Sequence, residues 1–219
     1  MLNKYSRGPW LWVPSLYFAE GLPYAFVMLV SVIMYKKLNI SNTEIALYTS
    51  WLYLPWVIKP LWSPIVDILR TKRSWIVLMQ ILIGAGLAGV AFTIPSSNPL
   101  RYSLAFFWLI SFSSATHDIA ADGFYMHALS KHEQTWMIGI RNTFYRFAIL
   151  FGQGILIIVA GKLEIWAGDL VTAWSMTFGI LCIMFLVFSV YHWLILPKPL
   201  SDQNYSKQPL KSVLYDFFK

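Results

Sequence analysis

The sequence predicts an all-α membrane protein with six transmembrane helices, and two observations lead to this fold class. The chain has 219 residues, of which 58% are hydrophobic and only 12% are charged, whereas soluble domains are about 45–50% apolar and about 25% charged. Six long apolar stretches fill most of the chain, and a spanning helix needs about 20 such residues. Because these stretches lack strict apolar–polar alternation, we expect helices rather than membrane strands.

One helical bundle followed by a polar tail is the predicted domain organisation. The bundle covers residues 1–196, and the tail covers residues 197–219. The predicted spans are residues 10–35, 45–61, 75–94, 102–128, 137–160 and 170–196. Four apolar residues of the tail share one helical face: Leu210, Val213, Leu214 and Phe217. This face predicts a short amphipathic helix at the membrane surface, or a linker into a further segment.

The first stretch holds an acidic residue beside two residues that weaken helices. Glu20 directly precedes Gly21, and Pro23 follows two positions later. An ionisable group at bilayer depth is costly and normally faces a protein interior or a watery cavity. A helix broken at Gly21 and Pro23 would line such a cavity with Glu20 and Tyr24. The alternative is a packing kink with Glu20 in a structural pair.

The second stretch ends in charged residues that are spaced for an electrostatic latch. Lys59 lies near the end of the span, and Asp67 follows it. Three basic residues come next in a short turn: Arg70, Lys72 and Arg73. Pairing between Asp67 and these cations would hold neighbouring helices in one conformation.

The third stretch carries glycines at helical spacing. Gly84-Ala85-Gly86 with Ala88-Gly89 places small residues at i, i+4 within an apolar run, and this spacing lets helices approach closely. We therefore expect tight helix packing here.

The fourth stretch contains the densest ionisable cluster. His117, Asp118 and Asp122 lie in one apolar run, and the two aspartates are spaced i, i+4 on one helix face. Two nearby carboxylates in a low dielectric do not easily ionise together. This pattern indicates a proton-binding site, and the alternative is a structural pair with an arginine.

The fifth stretch places polar residues on a shared face. Asn142, Arg146 and Gln153 are separated by four and seven positions. Arg146 is expected to face Asp118 or Asp122, because a buried arginine pairs with a carboxylate or an anionic substrate. Arg141 is expected to be structural.

The basic residues of the loops predict the orientation. If the N-terminus is cytoplasmic, ten of the 17 Lys and Arg residues fall in cytoplasmic segments and four on the opposite side. This bias favours both termini inside the cell. The net charge of +7 therefore fits loop orientation, and no nucleic-acid partner is expected.

Several motifs together resemble the muropeptide permease family within the major facilitator superfamily. They are Gly21-Leu22-Pro23, Lys59 with Leu61-Trp62-Ser63-Pro64 and Asp67, Ser113 to Asp122, and Tyr145-Arg146 with Gly152 and Gly154. The segment from Lys59 to Arg73, in which an acidic residue precedes a basic cluster, is similar to a degenerate form of the superfamily's signature loop. Ser63 and Arg70 depart from its usual glycines, and His117 departs from the glutamine usual in the permeases.

This resemblance implies the N-terminal half of a transporter, built from two three-helix repeats. It also implies proton-driven import of anhydro-muropeptides across an inner membrane for cell-wall recycling, with the second half missing from the chain. The expected partners are lipid, solute, protons, and either a second six-helix half or a homodimer. Alternatives are a non-transporting assembly partner, or a transporter of acetyl-CoA or sugar.

Enzymatic activity is not expected from the ionisable cluster. The serines near His117 have no second histidine or glycine-rich elbow to form a nucleophilic site. His117 with two aspartates also supplies too few ligands for a metal. The sequence thus predicts neither a metal site nor a cofactor.

Overall fold

The structure, a computed structural model, describes the backbone of residues 8–205 and the side chains of residues 8–202. Within these residues it is all-helical, with no strand. The predicted amphipathic helix over residues 210–217 lies outside the described residues.

Eleven α-helices follow one another along the described chain. They are α1 (Val13–Ala25), α2 (Ser31–Lys37), α3 (Asn42–Thr49), α4 (Leu54–Ile58), α5 (Ser63–Leu69), α6 (Lys72–Thr93), α7 (Pro99–Ala128), α8 (Lys131–Gln153), α9 (Ile155–Ala167), α10 (Leu170–Ile195) and α11 (Leu200–Tyr205).

Four helical segments of the described chain are long and apolar enough to cross a membrane. They are Pro9–Lys37, Lys72–Thr93, Lys131–Ala167 and Leu170–Ile195. The 30-residue helix α7 also has spanning length, but its polar residues make it less apolar than these four. The count of six spans stays a prediction.

The first segment continues through the position of its predicted break. Helix α1 includes Gly21 and Pro23, and the π-helical turns of Phe26–Val30 connect it to α2. A proline removes one backbone hydrogen bond, and wider π turns are a usual way to accommodate an irregularity inside a helix. The prediction of a broken helix at Gly21 and Pro23 was therefore wrong in its position and form.

The second predicted span is interrupted rather than continuous. Helices α3, α4 and α5 are separated by the 3₁₀ turns Ser50–Tyr53 and Lys59–Leu61. Pro55, Pro60 and Pro64 lie at the starts of successive short elements, where the missing N–H group is tolerated. Apolar composition alone did not reveal these interruptions.

The fifth helix is longer than predicted at both ends. A capping box between Ser130 and Glu133 starts α8 at Lys131, which satisfies backbone N–H groups at the helix start. After a break at Gly154, α9 continues to Ala167 and ends at Gly168, whose φ is 68°. Glycine adopts this left-handed conformation without a steric penalty.

Glycines bring the long helices into close contact, as the sequence predicted for α6. A Cβ atom on Gly86 would lie 2.6 Å from Ile110, and one on Gly89 would overlap the Phe106 ring. The same device joins α1 to α8, where a Cβ on Gly21 would lie 2.6 Å from the Tyr145 carbonyl oxygen. Small residues therefore set the distance between these helices.

A polar layer separates two apolar clusters of the bundle. One cluster includes Leu22, Ile83 and Phe185, and the other includes Tyr17 and Ile76. Buried polar residues occupy the intervening positions of four helices: Glu20 in α1, Gln80 in α6, His117 and Asp118 in α7, and His192 in α10. The fold therefore brings the polar residues of distant segments to one level.

The close contact of α1 with α8 can be tested by a single added methyl group. A Cβ on Gly152 would overlap the Ala25 Cβ, so we expect Gly152→Ala to lower the free energy of unfolding by about 1–3 kcal/mol. Thermal unfolding in detergent, followed through the 11 tryptophans, measures the effect.

The matched control is Gly139→Ala in the same helix. Nothing lies within 4 Å of a Cβ at Gly139, and alanine is favoured over glycine in a helix by about 0.5–1 kcal/mol. Its midpoint should be unchanged or raised. Equal midpoints for the two variants would show that α1 and α8 are not closely packed at Gly152.

Candidate functional site

An ion pair between the interrupted second segment and α7 forms the centre of the polar layer. Lys59 Nζ lies 3.3 Å from Asp118 Oδ2. The 3₁₀ turn that begins at Lys59 places this cation beside α7. The Asp118 side chain is 10% exposed and the Lys59 side chain is 33% exposed. The pair therefore lies between the protein interior and an open surface.

A second ion pair holds the other carboxylate of α7. Arg141 Nη2 lies 2.8 Å from Asp122 Oδ1, and the Tyr17 hydroxyl donates a hydrogen bond to the same oxygen at 3.1 Å. The Arg141 guanidinium also lies over the rings of Tyr17 and Tyr125, at 4.5 and 5.1 Å from their centroids. Cation–π contacts and the ion pair together fix the position of Arg141.

Arg146, expected opposite these carboxylates, is instead exposed. Asn142 and Gln153 are exposed as well, so the predicted polar face of α8 points away from the bundle interior. Instead of Arg146, Lys59 pairs with Asp118, and Arg141 pairs with Asp122. The expected pairing of Arg146 was therefore wrong, whereas Arg141, expected to be structural, forms the ion pair with Asp122.

Three ionisable side chains converge beside the Lys59 ion pair. One potential ligand atom each from Glu20, His117 and Asp118 lies within 4.8 Å of the other two. All three residues are buried. Glu20 Oε2, His117 Nδ1 and Asp118 Oδ1 have no hydrogen-bond partner among the described residues. Unpartnered buried polar atoms are uncommon and often indicate a functional position.

A buried hydrogen-bonded chain continues from His117 through three further helices. Gln80 Nε2 lies 3.0 Å from His117 Nε2 and 2.9 Å from His192 Nδ1. His192 Nε2 lies 3.1 Å from the Ser15 hydroxyl, which donates to the Trp12 carbonyl oxygen. The sequence interpretation missed Gln80, His192 and Ser15. Each is a polar residue within a predicted apolar span, and this feature could have identified them from the sequence.

Two aromatic rings lie beside Tyr24, which was predicted to line a cavity. Its ring is 6.3 Å from the Tyr53 ring and 5.8 Å from the Trp56 ring, measured between centroids. Tyr24 is partly buried and Tyr53 is exposed. These rings form an accessible aromatic surface on helices α1 and α4 and the turn between α3 and α4.

The predicted latch residues are partly brought together. Lys72 is buried and forms an ion pair with Asp67. Arg73 donates to the carbonyl oxygens of Leu196 and Trp193 at the end of α10, whereas Arg70 is exposed.

Helix α11 adds a contact at this level that the sequence did not predict. The Asp202 carboxylate accepts hydrogen bonds from the backbone N–H groups of Lys72 and Arg73 at 2.8 and 3.3 Å. These groups belong to the first turn of α6, which has no other intrahelical partner for them. Asp202 therefore ties the segment after α10 to the start of α6.

Comparison with known proteins identifies the superfamily. A family model described as Major Facilitator Superfamily matches residues 15–218. The anhydromuropeptide permease of Escherichia coli strain K12 is 27% identical over 211 residues, which are 92% of this chain and 40% of that protein. An uncharacterized protein of Haemophilus influenzae is 28% identical over 220 residues, covering 92% of this chain and 47% of that protein.

A eukaryotic relative shows the same partial coverage. An uncharacterized protein of Schizosaccharomyces pombe is 26% identical over 184 residues, covering 69% of this chain and 35% of that protein. The chain thus spans less than half the length of these curated relatives.

The Lys59–Asp118 ion pair should contribute more to stability than an exposed pair of similar length. In a double-mutant cycle of Lys59→Gln and Asp118→Asn, we expect a coupling free energy of about 1–3 kcal/mol, because the pair is partly shielded from water. Unfolding in detergent titrations measures the free energy of unfolding of each variant.

The matched control is the exposed pair of Lys37 and Glu164, whose Nζ and Oε2 atoms are 3.2 Å apart. Lys37→Gln and Glu164→Gln should couple by less than about 1 kcal/mol. A coupling at Lys59 and Asp118 no larger than this would contradict the assignment of a shielded ion pair.

Proposed function

The chain belongs to the Major Facilitator Superfamily, a family of transporters rather than enzymes, and we propose that it is one half of a proton-coupled permease. The proposed substrate is a small polar solute of the anhydro-muropeptide class, carried into the cytoplasm for cell-wall recycling. The proposed location is the inner membrane, with six spans and both termini cytoplasmic. Two three-helix repeats over residues 1–196 form the proposed bundle, with residues 197–219 as a cytoplasmic tail.

The observation that carries this proposal is the ion pair of Lys59 with Asp118 in the polar layer. Protonation of Asp118 removes its negative charge and weakens its attraction for Lys59. Lys59 is then available to an anionic group of the substrate. Binding of a proton and of a substrate are linked in this way, because both replace the same contact.

The neighbouring carboxylates support a role in proton transfer. One ligand atom each of Glu20, His117 and Asp118 lies within 4.8 Å of the other two, and Asp122 follows one turn after Asp118 on α7. A change of charge on one of these side chains therefore acts on its neighbours at short range and in a low dielectric. Glu20, His117, Asp118 and Asp122 form the proposed proton pathway.

The substrate class is proposed from the printed name of the E. coli relative and from two features of the site. Lys59 can pair with a carboxylate, which the lactyl group of a muramic acid carries. The aromatic surface of Tyr24, Tyr53 and Trp56 can pack against sugar rings or an attached peptide. An acetyl-CoA or simple sugar substrate is the alternative within this superfamily.

The exposed polar face of α8 supports a missing second half. Asn142, Arg146 and Gln153 are exposed, and polar groups facing lipid at bilayer depth are costly. We propose that this face lines the central cavity opposite a second six-helix half, or opposite a homodimer partner. Superfamily sites lie between two such halves, and the coverage of 40% of the E. coli relative agrees with half a transporter. Asp67, Arg70, Lys72 and Arg73 are the proposed conformational latch.

Neutralising Asp118 tests the proton role. In membrane vesicles with an imposed proton gradient, Asp118→Asn should reduce uphill uptake of labelled GlcNAc–anhydroMurNAc at least about 100-fold, because the variant side chain cannot bind and release the coupling proton. Exchange of labelled for unlabelled solute should retain a measurable rate, since exchange needs no net proton movement. Uphill uptake and exchange are measured on the same vesicles.

The control for this experiment is the same chemical change at an exposed position. Asp169 caps α10 by accepting the Thr172 N–H at 2.8 Å, and asparagine caps helices equally well. Asp169→Asn should therefore leave both rates unchanged. Uphill uptake by Asp118→Asn at the control rate would rule out the proton role. Absence of uptake by the unchanged chain, with a single band at 25.3 kDa in native membranes, would favour a non-transporting assembly partner.

A further inference from the structure

We propose that Glu20, His117 and Asp118 form a binding site for a divalent transition-metal cation such as Zn²⁺. The proposal starts from three buried polar atoms without a hydrogen-bond partner among residues 8–202: Glu20 Oε2, His117 Nδ1 and Asp118 Oδ1. Each of these residues is at least nine-tenths buried, and one ligand atom from each lies within 4.8 Å of the other two. Sequence analysis predicted no metal site, because it counted only His117 and the two aspartates of α7 and did not place Glu20 beside them.

The chemistry of the donors selects the class of cation. One imidazole nitrogen and two carboxylate oxygens match the ligands of Zn²⁺ and related divalent metals, whereas Ca²⁺ takes six to eight oxygens. Metal–ligand bonds of about 2.0–2.2 Å bring ligand atoms to within roughly 4 Å of one another. The ligand atoms now lie within 4.8 Å of one another, so side-chain movements of about 1 Å would bring them to metal-binding distances. A fourth position remains for water or solute.

Gln80 supplies the outer contact that a metal-binding histidine needs. Its side-chain amide lies 3.0 Å from His117 Nε2. With the amide oxygen toward His117, Nε2–H donates to it, and the lone pair of Nδ1 is free to bind a metal. An acceptor on the second ring nitrogen fixes the tautomer in this way at most histidine–metal sites.

The rest of the hydrogen-bonded chain permits this orientation of Gln80. Both atoms of the amide group lie close to His192 Nδ1, Nε2 at 2.9 Å and Oε1 at 3.0 Å. Either orientation of the amide therefore leaves an N–H group that donates to His192. His192 Nε2–H donates in turn to the Ser15 hydroxyl, which donates to Trp12. The turned amide thus still donates to His192, and the hydrogen bonds of His192 and Ser15 are unchanged.

The charges around the cluster favour a divalent cation but limit its affinity. Ionised Glu20 and Asp118 together balance two positive charges. Lys59 holds the other oxygen of Asp118 at 3.3 Å and repels a bound cation. Removing the charge of Lys59 should therefore strengthen metal binding, an effect that damage to the fold would not produce.

Metal binding is measured on the purified chain in nanodiscs, with a tag that lacks histidine. Co²⁺ is the spectroscopic probe, through its visible d–d absorption, and Zn²⁺ is the competitor. We expect one Co²⁺ per chain, displaced by one Zn²⁺. His117→Gln should remove the absorption band, and Gln80→Leu should weaken binding about 10–100-fold. Lys59→Gln should tighten binding about tenfold.

The control variant is His132→Gln, which removes an exposed histidine outside the cluster and should leave the band unchanged. Unchanged binding in His117→Gln, no binding by the unchanged chain, or weaker binding in Lys59→Gln would each overturn the proposal. The experiment needs no transport. A chain that binds Co²⁺ without uptake supports the metal site alone, and uptake without Co²⁺ binding supports the permease alone.

Discussion

Pairing of ionisable groups inside an apolar bundle is the constraint on which the rest of the structure depends. Asp118 is buried, and an isolated carboxylate there would be strongly destabilising. Lys59 offsets this cost at 3.3 Å, and it lies at the start of the 3₁₀ turn Lys59–Leu61, which interrupts the second segment. Apolar composition alone predicted a continuous helix at this position. The interruption is therefore part of the site, since it places the cation that the carboxylate requires.

Close helix packing is the second requirement, because it decides which polar groups can reach one another. Gly86 lets α6 approach α7, and Gln80, less than two turns earlier on α6, can then contact His117. Gly21 lets α1 approach α8, beside Glu20 in the same turn. Both of these close helix–helix contacts thus lie near a residue of the polar layer. A larger side chain at either glycine would move a polar group away from its partner as well as disturb packing.

The sequence was sufficient for the helical class and for the shared face of the two aspartates, since apolar length and i, i+4 spacing are local properties. It was not sufficient for their partners. Arg141 and Arg146 are five residues apart, so their side chains differ in direction by about 140° around α8. Only the rotation of α8 against α1 and α7 decides which arginine faces inward, and that rotation depends on tertiary contacts. Gln80 and His192 were missed for the same reason, because each finds its partner on a distant segment.

The three unpartnered atoms of Glu20, His117 and Asp118 connect the two proposals physically. Buried polar atoms without a hydrogen-bond partner are costly in a low dielectric, so a state in which protons or a cation occupy the cluster is stabilised relative to an unoccupied state. Either occupant reduces the negative charge on Asp118 and therefore weakens its attraction for Lys59. Because Lys59 is a third exposed, the occupancy of a buried cluster changes the charge presented at an open surface. That coupling, between a buried site and an accessible cation, is what an ion-dependent binding site requires.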